Sequence, residues 1–166
     1  MASLRRSIVA SVLFTVFGGP GILLVLWPWW TTRFRIAEGA HAGHAAAGWA
    51  LIGFGLVPLL ESIMRFIVVG CGALFPAVPT EHLVVSGLYR HVRNPMYLGV
   101  MTALGGEALL FWSKGVATEL AYVAVGFEIF VLLYEEPKLT RTFGEEYRIY
   151  RRNVRRWLPR LTPWEQ

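Results

Sequence analysis

Nearly every side chain able to do chemistry falls in two short polar segments. The first is Ser86-Gly87-Leu88-Tyr89-Arg90-His91-Val92-Arg93-Asn94-Pro95-Met96-Tyr97-Leu98-Gly99. Asn94 followed by Pro95 reads as a helix N-cap with proline at the first helical position. The free backbone N–H groups and positive dipole end of that helix stand beside Arg90, His91 and Arg93. Together they make an anion site suited to a carboxylate or a phosphate. Local spacing alone fits equally well a basic loop that sets topology or touches anionic head groups.

The second segment runs from Tyr134 to Pro159 and opens with the adjacent carboxylates Glu135 and Glu136 ahead of Pro137. Pro137 is expected to end or kink the preceding helix and to start a new one, leaving both carboxylates at the corner. Leu139, Phe143, Tyr147, Tyr150 and Val154 then recur at helical spacing, interrupted at Gly144, with arginines on the other face. A basic tail lying on an anionic membrane is the competing account of those arginines. Glu128, seven residues before Glu135, shares its helix face and can line the same cavity.

Other polar residues carry less. All 11 acidic residues are glutamate, which removes any aspartate-based metal or catalytic site. Cys71 is the single cysteine, so no intramolecular disulfide or cysteine-paired zinc site forms. His41 and His44 are spaced as a metal pair without further ligands nearby, and no metal is expected. His82 has no local partner. Glu107 and Glu119 fall inside apolar stretches, Glu119 close enough to the outer interface to be solvated and Glu107 placed to cap or pair within a hairpin.

The elements that must position these residues cross a membrane. Of the 166 residues 55% are hydrophobic and 16% charged, with a net charge of +5 and a mean hydropathy of +0.48. Four apolar stretches are long enough to count as spans: Ile8–Trp30, Ala46–Val69, Met96–Trp112 and Val116–Tyr134. Gly18-Gly19-Pro20-Gly21 should kink or break the first, and Trp27, Trp29 and Trp30 suit an interfacial belt. Glu61 and Arg65, four apart in the second span, can neutralise each other. Only Ser113-Lys114-Gly115 separates the last two, which therefore form an antiparallel hairpin. With both termini inside, twelve Lys and Arg face the cytoplasm against three outside, Arg65 apart. The expectation is one all-α integral membrane domain over residues 1–166, with about four transmembrane helices, a helical hairpin and a C-terminal amphipathic helical tail. Both termini are cytoplasmic. Nothing in the pattern calls for nucleic acid.

Taken together, Gly87 to Gly99 and Glu135-Glu136-Pro137-Lys138-Leu139 through Phe143 to Tyr147, Tyr150, Val154, Arg156-Trp157 and Pro159 resemble the isoprenylcysteine carboxyl methyltransferase family. The family is meant broadly, with its short bacterial members and the related phospholipid methyltransferases. Order, spacing and the intervening hairpin agree, and the resemblance covers residues 70–160. It implies an S-adenosylmethionine-dependent methyltransferase in a bacterial inner membrane. The cofactor would sit on the cytoplasmic side, between Arg90, His91, Arg93, Asn94, Pro95, Tyr97, Leu98 and Gly99 and the pair Glu135 and Glu136, closed from the tail by Tyr147 and Tyr150. Catalytic candidates are then Glu135, Glu136, His91 and Arg151. Val92-Arg93-Asn94 interrupts the simple Arg-His-Pro run of members that act on prenylated proteins, so that substrate does not carry over.

Methyl transfer from a sulfonium needs chiefly alignment. A thiol or amine acceptor must also lose a proton, which a glutamate or His91 can take. The expected acceptor is a lipophilic small molecule or lipid entering sideways from the bilayer, with Glu61 and Arg65 or Glu128 near its route, among surrounding membrane lipids. Two other functions compete: an NADPH-dependent membrane reductase of the sterol-reductase kind, and a non-enzymatic scaffold whose basic tail binds lipid.

Overall fold

The computed structural model describes residues 19–68 and 82–165, the side chains of 66–68 excepted. Ile8 to Gly18 of the first expected span, and Cys71, lie outside the described residues. All regular structure among the described residues is helical. A helical turn at Gly19–Gly21 and a π-helical turn at Ile22–Leu26 lead into α1 (Trp27–Thr32). Then come α2 (Ala42–Val68), a 3₁₀ turn at Gly87–Arg90, α3 (Pro95–Leu110) and α4 (Lys114–Phe130). A second π-helical turn, Val131–Glu135, joins α4 to α5 (Glu136–Asn153).

Among the described residues, two stretches are long and apolar enough to cross a membrane, Ala42–Arg65 and the continuous helix Lys114–Asn153. Most of their apolar surface faces outward: Phe54 is 73% and Leu133 75% exposed. A soluble protein would bury such side chains, so these faces are suited to lipid. α3 has 16 residues, about 24 Å at 1.5 Å per residue, short of a core of roughly 30 Å. Four full crossings are therefore more than the described helices establish. The apolar part of the second stretch ends at Tyr134, and α5 beyond it is polar.

α2 and α3 pack most closely. Gly48 and Gly55 on α2 meet Gly106 and Gly99 on α3, the glycines being seven residues apart on each helix. A Cβ on Gly99 would stand 2.6 Å from the Gly55 carbonyl oxygen, and one on Gly106 the same distance from that of Gly48. Only glycine lets the backbones approach so far, as expected for helices that gain little from excluding water. Above this seam Leu59, Val100, Leu104 and Val116 form the main core, with Phe127 and Leu120 packed against it.

The α3–α4 hairpin turns through Trp112, in the left-handed region at φ 48°, and Ser113, whose Oγ accepts from Val116 N–H at 3.4 Å. Pro137 falls in the first turn of α5, as expected. The wider π-turn immediately before it absorbs the lost N–H and the ring, so α4 runs on into α5. The same pairing of π-turn and proline recurs at Ile22–Leu26 and Pro28. Gly144, with φ 55° and ψ −123°, kinks α5 where its periodicity is interrupted. Glu119 departs from expectation: it is buried, not solvated, and neither carboxylate oxygen has a partner among the described residues. Glu107 Oε2, in the same hairpin, also lacks one.

Candidate active site

The apolar stripe of α5 does not lie on a membrane. Tyr147, Tyr150 and Val154 are buried together, covered by Leu139, Phe143, Leu83, Val85 and Trp164. This second core places α5 against the segment before α3 and turns its arginines outward. After Asn153 the chain becomes extended and crosses back over residues 90–93 as a strap. Arg93 N–H donates to Arg155 O, Arg160 N–H to His91 O and Trp164 N–H to Arg90 O, each at 2.9 Å.

Carboxylates of the long helix fix the strap. Glu136 Oε1 accepts from Arg93 Nη1 at 2.6 Å and from Arg156 Nε at 2.8 Å. Arg151 Nε stands 3.6 Å from its other oxygen. Arg156 also donates to Glu128 Oε1 at 2.6 Å, and Trp157 Nε1–H donates to Glu128 Oε2. Burial opposes the Glu136 charge, but the Arg156 hydrogen bond and the guanidiniums of Arg93, Arg156 and Arg151 outweigh it. They hold the carboxyl below the usual carboxylate range. The hydrogen bond to Glu136 raises the Arg156 pKa in the same sense. Tyr150 O–H donates to the Tyr89 carbonyl at 2.7 Å, and burial pushes both phenols above their ordinary range.

On the α2 side of the 3₁₀ turn lies an open cavity of about 900 Å³. Its polar wall is Glu61, Arg65, Ser86, Arg90 and His91, and Trp164 of the strap also lines it. Gly87, at φ 57°, sits directly on the Glu61–Arg65 ion pair, where a Cβ would overlap Glu61 Oε1. Arg90 is committed to the strap, Nε donating to Trp164 O at 2.7 Å and Nη2 to Glu165 at 3.4 Å. His91 Nδ1 lies 2.8 Å from Arg160 O. A carbonyl only accepts, so Nδ1 carries a proton, and in the neutral ring Nε2 holds the lone pair.

The expected site residues thus divide into two groups on either side of residues 90–93. Arg93, Tyr97, Glu135, Glu136, Tyr147 and Arg151 come together in one network, Tyr97 O–H donating to Glu135 at 2.8 Å and Arg93 to Tyr147 at 3.3 Å. Tyr150 stands next to Tyr147 in that core. Arg90 and His91 face the cavity instead. Asn94 and Pro95 begin α3, but the Asn94 side chain does not cap it; Nδ2 reaches Arg156 O at 3.5 Å. Leu98 is half-buried, and Gly99 is spent on the contact with α2.

Residues 44–146 match the sequence model of a family described as phospholipid methyltransferase. The chain belongs to the phospholipid methyltransferase family. Three curated relatives carry a more specific name. The chain is 29% identical over 158 residues to methanethiol S-methyltransferase of Mycobacterium tuberculosis (strain ATCC 25618 / H37Rv), covering 88% of this chain and 62% of that protein. It is 27% identical over 150 residues to methanethiol S-methyltransferase of Pseudomonas deceptionensis, covering 84% and 55%. It is 30% identical over 175 residues to methanethiol S-methyltransferase 1 of Bradyrhizobium diazoefficiens, covering 92% and 54%. The chain therefore spans between 54% and 62% of the length of these relatives. No solved structure matches it significantly.

The broad family expected from residues 87–99 and 135–159 is the one matched, and reductases and scaffolds have no counterpart among the relatives named. For a phospholipid methyltransferase family member, the residues that sequence reasoning missed are in the tail. Pro163, Trp164 and Glu165 line the cavity, and Arg156 and Trp157 read as motif residues without a stated task. Their partners are Arg90, through its side chain and main chain, and two glutamates 20 to 29 positions away, for which no local spacing gives a signal.

Proposed function

We propose that this chain is an integral membrane methyltransferase that uses S-adenosylmethionine to methylate the sulfur of a small lipophilic thiol. Both termini and the cavity lie on the cytoplasmic side, on the Lys and Arg count. The residues present fit such a donor: a cavity of about 900 Å³, a buried Ser86 Oγ without a partner among the described residues, and Trp164 among the lining residues. Ser86 and Trp164 would hold it. When bound, it supplies an electrophilic methyl group carried on a sulfonium.

The observation that carries the reading is His91. Its tautomer is set by the Arg160 carbonyl, Nε2 has no partner among the described residues, and the residue lines the cavity. Nε2 is therefore equipped to take the thiol proton and leave the sulfur lone pair free to react. The names of the three relatives support a thiol over a carboxylate, which needs no base. Val57 supports lateral entry, because it lines the cavity and is also exposed among the outward apolar side chains of α2.

The test is to supply the protein in bilayer nanodiscs with S-adenosylmethionine and, separately, an alkyl thiol, a long-chain fatty acid and phosphatidylethanolamine. S-adenosylhomocysteine release is expected with the thiol. Release with phosphatidylethanolamine alone would overturn the reading.

A further inference from the structure

Glu61 and Arg65 precede both motif segments, yet the fold brings them into the cavity wall. On sequence they belonged to the acceptor's route. Their geometry suits another task. Arg65 Nε donates to Glu61 Oε1 at 2.7 Å, so one oxygen and one nitrogen of the pair hold each other in place. Glu61 Oε2 is buried and has no partner among the described residues. The two terminal nitrogens of Arg65 likewise lack one, on a side chain that is 40% exposed. The pair therefore presents an acceptor and a forked donor side by side, already oriented by their mutual bond. Buried carboxylate oxygens are seldom left without a donor.

A ligand that satisfies both must carry an ammonium and a carboxylate close together, which is the chemistry of an α-amino acid. Arg90, the neighbouring cation, is taken up by Trp164 O and Glu165, so among the described residues of this wall the free guanidinium edge is that of Arg65. We propose that the Glu61–Arg65 pair recognises the amino-acid end of the methyl donor, Glu61 Oε2 accepting from its ammonium and the terminal nitrogens of Arg65 donating to its carboxylate. This inference rests on the proposed use of S-adenosylmethionine. It gives α2 a part in ligand recognition.

The experiment compares two ligands by calorimetry on the protein in nanodiscs. S-adenosylhomocysteine has the amino-acid end; 5′-methylthioadenosine is the same thioether nucleoside without it. Glu61→Gln and Arg65→Gln should each weaken S-adenosylhomocysteine about ten- to a hundredfold, the range for losing one charged hydrogen-bond partner. Methylthioadenosine should stay within about twofold, which also reports that the cavity is intact. Arg65→Lys, which keeps the charge, should recover part of the loss and decides the matter if Glu61→Gln does not fold. Unchanged S-adenosylhomocysteine affinity in the folded variants, or equal loss of both ligands, would overturn the inference. If the unmodified protein binds neither ligand, the methyl-donor reading falls, and the inference with it.

Discussion

Glu136→Gln removes one charge and almost no volume, and it should release the C-terminal strap. In the folded protein the Glu136 side chain is 5% exposed and faces Arg93, 10% exposed, and Arg156, 19% exposed. Two charge-assisted hydrogen bonds are weakened at once, each worth roughly 1.5–3 kcal/mol. The variant also leaves the Arg93 guanidinium buried without its counter-ion, and breaking a buried pair from one side costs about 3–5 kcal/mol. Arg151, half-exposed at 3.6 Å, adds at most about 1 kcal/mol. Because the Gln carbonyl still accepts one bond, the expected loss is about 3–4 kcal/mol. That is roughly a hundred- to a thousandfold more of the undocked strap. The assay is limited trypsin digestion in nanodiscs, since Arg155, Arg156 and Arg160 all lie in the strap. Cleavage there should accelerate by that factor while opening and closing stay fast relative to cutting. Glu128→Gln should accelerate it less, because the Glu128 side chain is 40% exposed. Wild-type cleavage rates in Glu136→Gln would show that the carboxylate does not hold the strap.

Four further outcomes follow. The folded pKa of Glu136 lies below its ordinary 4.5, so its ion pairs stabilise at all higher pH and fail as pH falls through the lowered value; fluorescence of Trp157 and Trp164 should show a transition below about pH 4.5 that Glu136→Gln lacks. Gly99→Ala drives a Cβ against the backbone of α2 and should cost about 1–3 kcal/mol, whereas Gly53→Ala, with nothing within 4 Å, should gain about 0.5–1 kcal/mol, both read from unfolding in mild detergent. Tyr150→Phe strips the buried Tyr89 carbonyl of its donor and should cost about 1–3 kcal/mol in the same assay. Cysteines placed at Lys114 and Arg160 in a Cys71→Ser background should react with impermeant reagents from opposite faces of the membrane; labelling of both from one face would reject the proposed topology.

Much of the architecture was legible because it rests on local rules. Asn94-Pro95 marks the start of α3, Ser113-Lys114-Gly115 the turn of the hairpin, and Gly144 the kink in α5. Each signal is a backbone property of the residue itself, so it survives any tertiary context. The Glu61–Arg65 pair was likewise visible at its i,i+4 spacing, though its task was not. The strap was not legible, since its three main-chain hydrogen bonds depend on no side-chain type. Pro137 correctly marked the start of α5, but the π-turn before it was not legible, because none of Val131 to Glu135 signals a register change. Glu119 was placed in solvent by its nearness to a helix end, and only the packing of the hairpin shows it buried. Within the site, residue types located both polar segments, but which cations are neutralised by glutamates and which face the cavity is decided by the strap.

In the proposed function His91 takes a proton from a thiol in this cavity so that its sulfur can be methylated. The most direct measurement is headspace mass spectrometry of the protein in nanodiscs, given methanethiol and S-adenosylmethionine with an isotopically labelled methyl group. Labelled dimethyl sulfide should form, and His91→Ala should slow it by about a hundredfold or more while leaving S-adenosylhomocysteine binding in place. Absence of labelled thioether from protein that binds S-adenosylhomocysteine, or full activity in His91→Ala, would contradict it.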